Sequence, residues 1–162
     1  MSKAAKSKPK KKAPAAKAAK RDRVVLAYSG GVGTSIAIKW LQDNMNLDVI
    51  AVCIDVGQGK ELGPIQKKAL KIGAIKSVVV DAKAKFCNEY LVPAIRANAL
   101  YERKYVLSTS LNRPLISEIL VGVAKKEKAA YVAHGATAKG NDQVRFEVSF
   151  AALDPALKII PV

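Results

Sequence analysis

The sequence predicts an α/β fold, a doubly wound parallel sheet of five strands with helices on both faces. Short apolar runs rich in β-branched residues alternate with longer segments whose apolar residues recur at helical spacing. Each apolar run is continuous rather than alternating, which is typical of strands buried on both faces. The predicted strands cover residues 24–28, 48–54, 77–80, 130–133 and 158–160.

Helices are predicted between these strands, over residues 35–44, 64–72, 84–99, 114–126 and 141–153. Gly73 follows the second of them and is expected to form its C-terminal cap. Pro93 lies inside the third, where a proline removes a backbone donor and crowds the preceding turn. We therefore expect Pro93 to kink that helix or to divide it in two.

The positive charge of the chain is concentrated at its N-terminus. Residues 1–23 contain ten basic residues and one acidic residue, which is +9 of the net charge of +15. This segment lacks the large apolar side chains of a core, so it cannot offset the entropy lost on ordering. We predict a disordered basic tail over 1–23 and a folded domain over 24–162. Nucleic-acid binding is not expected except through the tail.

The remaining composition predicts a cytoplasmic protein. No stretch approaches the roughly 18 to 20 apolar residues of a membrane span, and no apolar signal-peptide core follows the basic N-terminus. Cys53 and Cys87 lie in apolar segments without CxxC spacing. Both are therefore expected to be buried reduced thiols rather than ligands of a metal.

A turn of small residues joins the first predicted strand to the first predicted helix. Glycines let the backbone approach phosphate oxygens, and the free amides and positive dipole end of the helix stabilise negative charge. The alternative is a tight turn without a ligand. The turn predicts a nucleotide phosphate site made of Ala27, Tyr28, Ser29, Gly30, Gly31, Val32, Gly33, Thr34 and Ser35.

Two familiar nucleotide motifs match this turn incompletely. A Walker loop requires a lysine before the Ser/Thr, and no lysine lies between Arg23 and Lys39. A dinucleotide fingerprint would place Asp55 at a suitable distance to meet a ribose, but its third glycine falls on Ile36. The dinucleotide hypothesis predicts a preference for NAD over ATP.

The segment 27–35 resembles the pyrophosphate loop of the N-type ATP pyrophosphatases, which have an adenine nucleotide alpha hydrolase-like fold. This resemblance implies ATP and Mg²⁺ as cofactors and cleavage of ATP between its α and β phosphates. The family usually has an aspartate where this chain has Gly33. We expect that difference to impair catalysis more than binding.

Three further segments resemble the argininosuccinate synthase family: residues 50–58, 98–114 and 133–147. The resemblance implies that ATP is contacted by Ile54 and Gly135 as well as by residues 27–35. Citrulline would be bound by Tyr105, Ser110, Asn141 and Arg145. Aspartate would be bound by Thr137, Asn141 and Asp142. His134, the only histidine, is expected to be structural.

The segment 133–147 also suggests a site on physical grounds, because it repeats the order of strand, small-residue loop and helix start. We expect its strand to neighbour the first strand, so that both loops face one cleft. Asn141 and Arg145 are four residues apart and should point the same way along the helix. A helix cap and a surface arginine are the alternative for these two residues.

The resemblance implies a two-step ligase. Citrulline's ureido oxygen attacks the α-phosphate of ATP, releasing pyrophosphate, and aspartate's amine then displaces AMP to give argininosuccinate. The family also has a C-terminal synthetase domain, which we expect to be absent from this chain, and it forms a homotetramer. Because the C-terminal part supplies further substrate contacts in the family, we expect residues 1–162 alone to bind ATP weakly and to turn over little or nothing. The competing hypothesis is a non-catalytic nucleotide-binding remnant whose basic tail engages nucleic acid or another acidic partner.

Overall fold

The computed structural model describes residues 21–59, 61–106 and 108–162. The predicted disorder of residues 1–20 lies outside the described residues. Arg23, the last residue of the predicted tail, is the first residue of a strand and pairs in register with Asp48. Its guanidinium donates a hydrogen bond to the Glu127 carbonyl at 2.8 Å, which fixes this end of the strand.

Five parallel strands form one sheet, as predicted. They are β1 (Arg23–Ala27), β2 (Asp48–Asp55), β3 (Lys76–Asp81), β4 (Tyr131–His134) and β5 (Lys158–Pro161), arranged in the order β3-β2-β1-β4-β5. The chain therefore runs outward from β1 in one direction and later resumes on the other side of β1 with β4. This reversal is the topological switch point of a doubly wound sheet.

Helices cover both faces of the sheet because alternate residues of its central strands point to opposite sides. On one face, α1 (Val32–Met45) and α2 (Leu62–Ile72) pack against residues that include Leu26 and Val49. On the other, α5 (Ser108–Glu127) and α6 (Asn141–Leu153) pack against residues that include Val25 and Val132. None of the helices described is long and apolar enough to cross a membrane.

The third helical segment is divided, as Pro93 predicted. It consists of α3 (Lys83–Lys85), a π-helical turn (Phe86–Leu91) and α4 (Val92–Arg96), with Pro93 in the first turn of α4. A proline is tolerated in a first turn because the amide it lacks would have no intrahelical partner there. The predicted cap at Gly73 is confirmed, since Gly73 has φ 127° and donates to the Ala69 and Leu70 carbonyls.

Three expectations were wrong. The fourth predicted helix begins at Ser108 rather than at Pro114, which lies inside it. β3 is partly exposed because it is an edge strand of the sheet, with a neighbouring strand on one side only. Cys53 is buried as expected, but Cys87 is exposed on the π-helical turn, whose buried residue is Phe86.

His134 belongs to the core, as predicted. It is fully buried, stacks on the rings of Phe146 and Phe150 at centroid distances of 5.1 and 6.4 Å, and accepts the Ala136 amide at 3.3 Å. Its Nε2 has no hydrogen-bond partner among the described residues. Burial lowers the pKa of His134 below its ordinary value, and the charge of Glu147 opposes this only in part.

This depressed pKa predicts a pH-dependent stability. As the pH falls through 6.5, the ordinary pKa, the unfolded chain takes up a proton that the folded chain resists, so the free energy of unfolding should decrease. Urea unfolding between about pH 5 and 7.5 measures this slope. His134→Gln should flatten it, because the chain has no other histidine. An equal slope in both proteins would contradict a neutral buried histidine.

Candidate functional site

A cavity of about 570 Å³ opens at the carboxyl ends of the strands, where the strand order reverses. Its wall combines the ends of β1, β2 and β4 with the first turn of α6 and side chains from α2 and α5. The segments that follow β1 and β4 contribute Ser29, Thr34, Gly135 and Thr137. The cavity therefore lies where open parallel sheets bind their ligands.

The first loop ends in an uncapped helix N-terminus. Gly31 is the N-cap of α1 and contributes no side-chain hydrogen bond. The first intrahelical bond runs from the Ser35 amide to the Gly31 carbonyl at 3.1 Å. The amides of Val32, Gly33 and Thr34 precede it, so helix geometry leaves them without an intrahelical partner. This end of α1 can accept an anion.

Hydroxyl groups surround the same loop. Ser29 Oγ lies 3.2 Å from Thr34 Oγ1, and Tyr28 Oη lies 3.1 Å from Ser35 Oγ, which donates to the Gly31 carbonyl at 2.7 Å. Ser29 and Thr34 line the cavity, whereas Ser35 does not. Of the serine and threonine hydroxyls in this loop, those of Ser29 and Thr34 are therefore the ones placed to donate to a ligand.

The second loop follows β4 and has the same design. Gly140 is the N-cap of α6 without a side-chain hydrogen bond, and the first intrahelical bond joins the Val144 amide to the Gly140 carbonyl at 3.4 Å. The two loops approach closely at Gly135, where an added Cβ would lie 3.1 Å from Thr34 Cγ2. Both helix N-termini therefore border one cavity, as the sequence predicted.

A half-buried charge cluster links α5 to the start of α6. Arg113 donates to Oδ2 of Asp142 through Nε and Nη2 at 3.1 and 2.8 Å, and Arg145 donates to Oδ1 at 2.7 Å. The Arg113 guanidinium also lies over the Phe146 ring, 5.4 Å from its centroid. Partial burial raises the pKa of Asp142, but the hydrogen bonds from the two arginines outweigh it and hold that pKa below its ordinary value.

The end of β2 forms the opposite wall. Ile54 and Gln58 line the cavity, and Gln58 donates to the Ile54 carbonyl at 2.9 Å. Asp55 is turned away, where Lys83 donates to its carboxylate at 2.8 Å. That bond and the Gly57 amide lower the pKa of Asp55. Asp55 is thus already paired, which counts against the ribose contact that a dinucleotide site would need.

The structure brings most of the predicted residues together. The cavity wall includes nine of them: Ala27, Tyr28, Ser29, Thr34, Ile54, Gly135, Thr137, Asn141 and Asp142. Gly30, Gly31, Val32, Gly33 and Ser35 belong to the same loop without lining the wall, and Arg145 stands behind Asp142.

The structure does not bring Tyr105 or Ser110 to the cavity wall. Tyr105 is 55% exposed, because residues 101–105 close a short turn through a bridge between Tyr101 and Tyr105. Sequence reasoning missed Arg113 and Ile65, which do line the cavity. Arg113 lies one residue before the predicted helix over 114–126, and no local pattern indicates its ion pair with Asp142.

Two solved structures share this fold. A predicted subunit of a tRNA methyltransferase from Methanocaldococcus jannaschii has a TM-score of 0.60 at 16% identity, covering 86% of this chain and 67% of that one. An NH3-dependent NAD synthetase from Campylobacter jejuni has a TM-score of 0.51 at 14% identity, covering 76% of this chain and 50% of that one. At these identities the likeness concerns the fold alone.

Sequence comparison is more specific. Argininosuccinate synthases from Brevibacillus brevis and Oceanobacillus iheyensis are each 62% identical to this chain over 140 residues, and that of Clostridium tetani is 59% identical. The match covers 86% of this chain but 33 to 35% of the relatives, so the chain spans about a third of their length. The family model for the arginosuccinate synthase N-terminal HUP domain matches residues 23–162. The chain therefore belongs to the argininosuccinate synthase family, of which it contains the N-terminal HUP domain.

Proposed function

We propose that this chain is the ATP-binding part of an argininosuccinate synthase, a ligase that joins citrulline to aspartate with release of AMP and pyrophosphate. One observation carries the proposal: two uncapped helix N-termini, those of α1 and α6, border one cavity at the topological switch point. Such an arrangement suits a ligand with several anionic groups.

The phosphates of ATP are assigned to the N-terminus of α1, where the amides of Val32, Gly33 and Thr34 are available. The base is assigned to the wall formed by the end of β2, which offers the apolar surface of Ile54 and the amide of Gln58. This orientation follows from chemistry, since amides and hydroxyls donate hydrogen bonds to phosphate oxygens, whereas apolar side chains pack against the adenine ring.

The amino-acid substrates are assigned to the α6 side. Asp142 carries one negative charge between the two positive charges of Arg113 and Arg145, so the cluster has a net positive charge that suits a substrate carboxylate. Thr137, Asn141 and Asp142 remain the proposed aspartate contacts. Tyr105, Ser110, Asn141 and Arg145 remain the proposed citrulline contacts.

The proposed chemistry needs positioning more than a protein nucleophile. Citrulline's ureido oxygen attacks the α-phosphate, pyrophosphate leaves, and aspartate's amine then displaces AMP. Negative charge develops on phosphate oxygens in the first step, and amides fixed at a helix N-terminus stabilise it without reorganising. The protein's part in this scheme is to hold three substrates in one cavity.

Mg²⁺ fits this cavity as an ion carried by the nucleotide. Among the described residues no group of three or more His, Cys, Asp or Glu side chains could hold a metal. Among the described residues that line the cavity, Asp142 is the acidic one. Arg113 and Arg145 already donate hydrogen bonds to its two carboxylate oxygens. Mg²⁺ commonly binds through substrate phosphates with few protein ligands, and it would neutralise their charge here.

A cytoplasmic location and a homotetramer of the longer family protein are part of the proposal. Binding of nucleic acid or another acidic partner by the basic tail of a non-catalytic remnant is not favoured, since the relatives are argininosuccinate synthases by name.

Isothermal titration of the purified chain separates the nucleotide hypotheses. We expect MgATP to bind and NAD to bind at least about tenfold more weakly, because the Asp55 carboxylate is already paired with Lys83 and is outside the cavity wall where a ribose contact would be needed. A variant lacking residues 1–20 is the matched control for charge in the tail. Binding of NAD alone, or loss of ATP binding with the tail, would contradict the proposal.

The Gly33→Asp variant tests what the aspartate that the family usually has at this position contributes to nucleotide binding. Gly33 lies in the first turn of α1, and an added Cβ would meet no atom within 4 Å, so the side chain fits. We expect MgATP binding to tighten by roughly tenfold, because a carboxylate beside the phosphates can share the ion. Without Mg²⁺ the same charge should weaken ATP binding.

Gly33→Asn is the uncharged control of similar shape for this titration. A tightening that is equal in Gly33→Asn, or that persists in EDTA, would show that helix stability rather than the ion is responsible.

A further inference from the structure

Helix α2 packs against the first loop of the site, residues 27–35. Ile65 and Lys68 are three residues apart on α2 and therefore lie on the same face of that helix. Both contact Gly30, which follows β1. The helix itself is fixed, since Ala69 is fully buried and Gln66 Nε2 donates to the Ser77 carbonyl at 2.8 Å.

The close packing of α2 against the loop requires a glycine at position 30. It has φ 77°, in the left-handed region that favours glycine, and a Cβ at this position would lie 2.9 Å from Ile65 Cγ2. Ile65 thus packs directly against the bare Cα of the loop. Lys68 Nζ donates to the Gly30 carbonyl at 2.8 Å.

The bond from Lys68 sets the direction of one amide. The carbonyl and the N–H of a trans peptide point in opposite directions, so a Gly30 carbonyl turned toward Lys68 turns the Gly31 N–H away from it. That N–H points toward Ser29 Oγ at 3.4 Å, and Ser29 lines the cavity. Lys68 therefore orients the Gly31 amide toward Ser29, a residue of the cavity wall.

Lys68 also supplies the charge that the loop lacks. Residues 27–35 contain no lysine or arginine, and the first turn of α1 contains no acidic side chain. Among the described residues, the cation that donates to this loop is Lys68. A positive charge at this place favours an anionic ligand and opposes outward rotation of the Gly30–Gly31 peptide.

We propose that Lys68 is a positioning residue for the phosphates of ATP, acting through the Gly30–Gly31 peptide. This assignment rests on the proposed function for the identity of the ligand. It gives α2 a functional role in addition to covering the sheet, and it places a residue of the site 38 positions after Gly30.

The test compares Lys68→Met, Lys68→Arg and Lys67→Met with the unaltered chain. Lys67 is the adjacent exposed lysine and makes no hydrogen bond or ion pair with the residues that the structure describes, so Lys67→Met controls for charge alone. MgATP and adenosine are titrated into each protein. In parallel, NMR hydrogen exchange at the Gly31 amide is recorded without ligand.

Lys68→Met should weaken MgATP binding by roughly tenfold, the effect of losing one hydrogen bond to a charged group, and should leave adenosine binding unchanged. Lys68→Arg should restore most of the affinity, and Lys67→Met should have no effect. Gly31 should exchange faster in Lys68→Met alone. Equal losses for ATP and adenosine, or equal effects of Lys67→Met and Lys68→Met, would overturn the assignment.

The two proposals fail separately. If the unaltered chain binds no MgATP, the proposed function fails, and the exchange rate of Gly31 still decides whether Lys68 orders the loop. Unchanged exchange in Lys68→Met would reject the role of Lys68 even where ATP binds well.

Discussion

The pairing of β1 with β4 is the constraint on which the rest of the site depends. Val25 lies beside Val132 in a parallel register, so both strands end at the same edge of the sheet. Because each strand leads into a helix on opposite faces, the two helix N-termini meet above that edge. The two loops approach closely, since a Cβ at Gly135 would lie 3.1 Å from Thr34 Cγ2. One cavity thus receives the positive ends of two helices.

Local pattern was sufficient for most of the fold. Buried central strands produce continuous apolar runs, and Gly73 and Pro93 mark a helix end and a helix division through their own backbone chemistry. The start of α5 could not be predicted, because Pro114 favours a first turn and only tertiary packing of Leu111 and Leu115 supports a helix around it. The exposure of Cys87 follows from the π-helical turn, which shifts side-chain positions relative to an α-helix.

In the site, too, residues in contiguous motifs could be predicted, whereas residues brought in by tertiary packing could not. Its two loops are continuous segments, so residues such as Ser29 and Asn141 could be predicted from their motifs. Ile65 and Lys68 reach the site from α2, which no motif includes, and Arg113 lies at the end of the 98–114 segment without a role implied there. Their roles depend on how α2 and α5 pack on the sheet, and no short-range pattern in a single sequence indicates that packing.

The most direct measurement is a backbone amide NMR titration of the chain with MgATP. If both helix N-termini form one phosphate and substrate site, the amides of Val32, Gly33 and Thr34 should shift along one saturation curve together with those of Asn141 and Asp142. Shifts confined to one loop, or to the basic residues before Arg23, would contradict a single site at the β1–β4 junction.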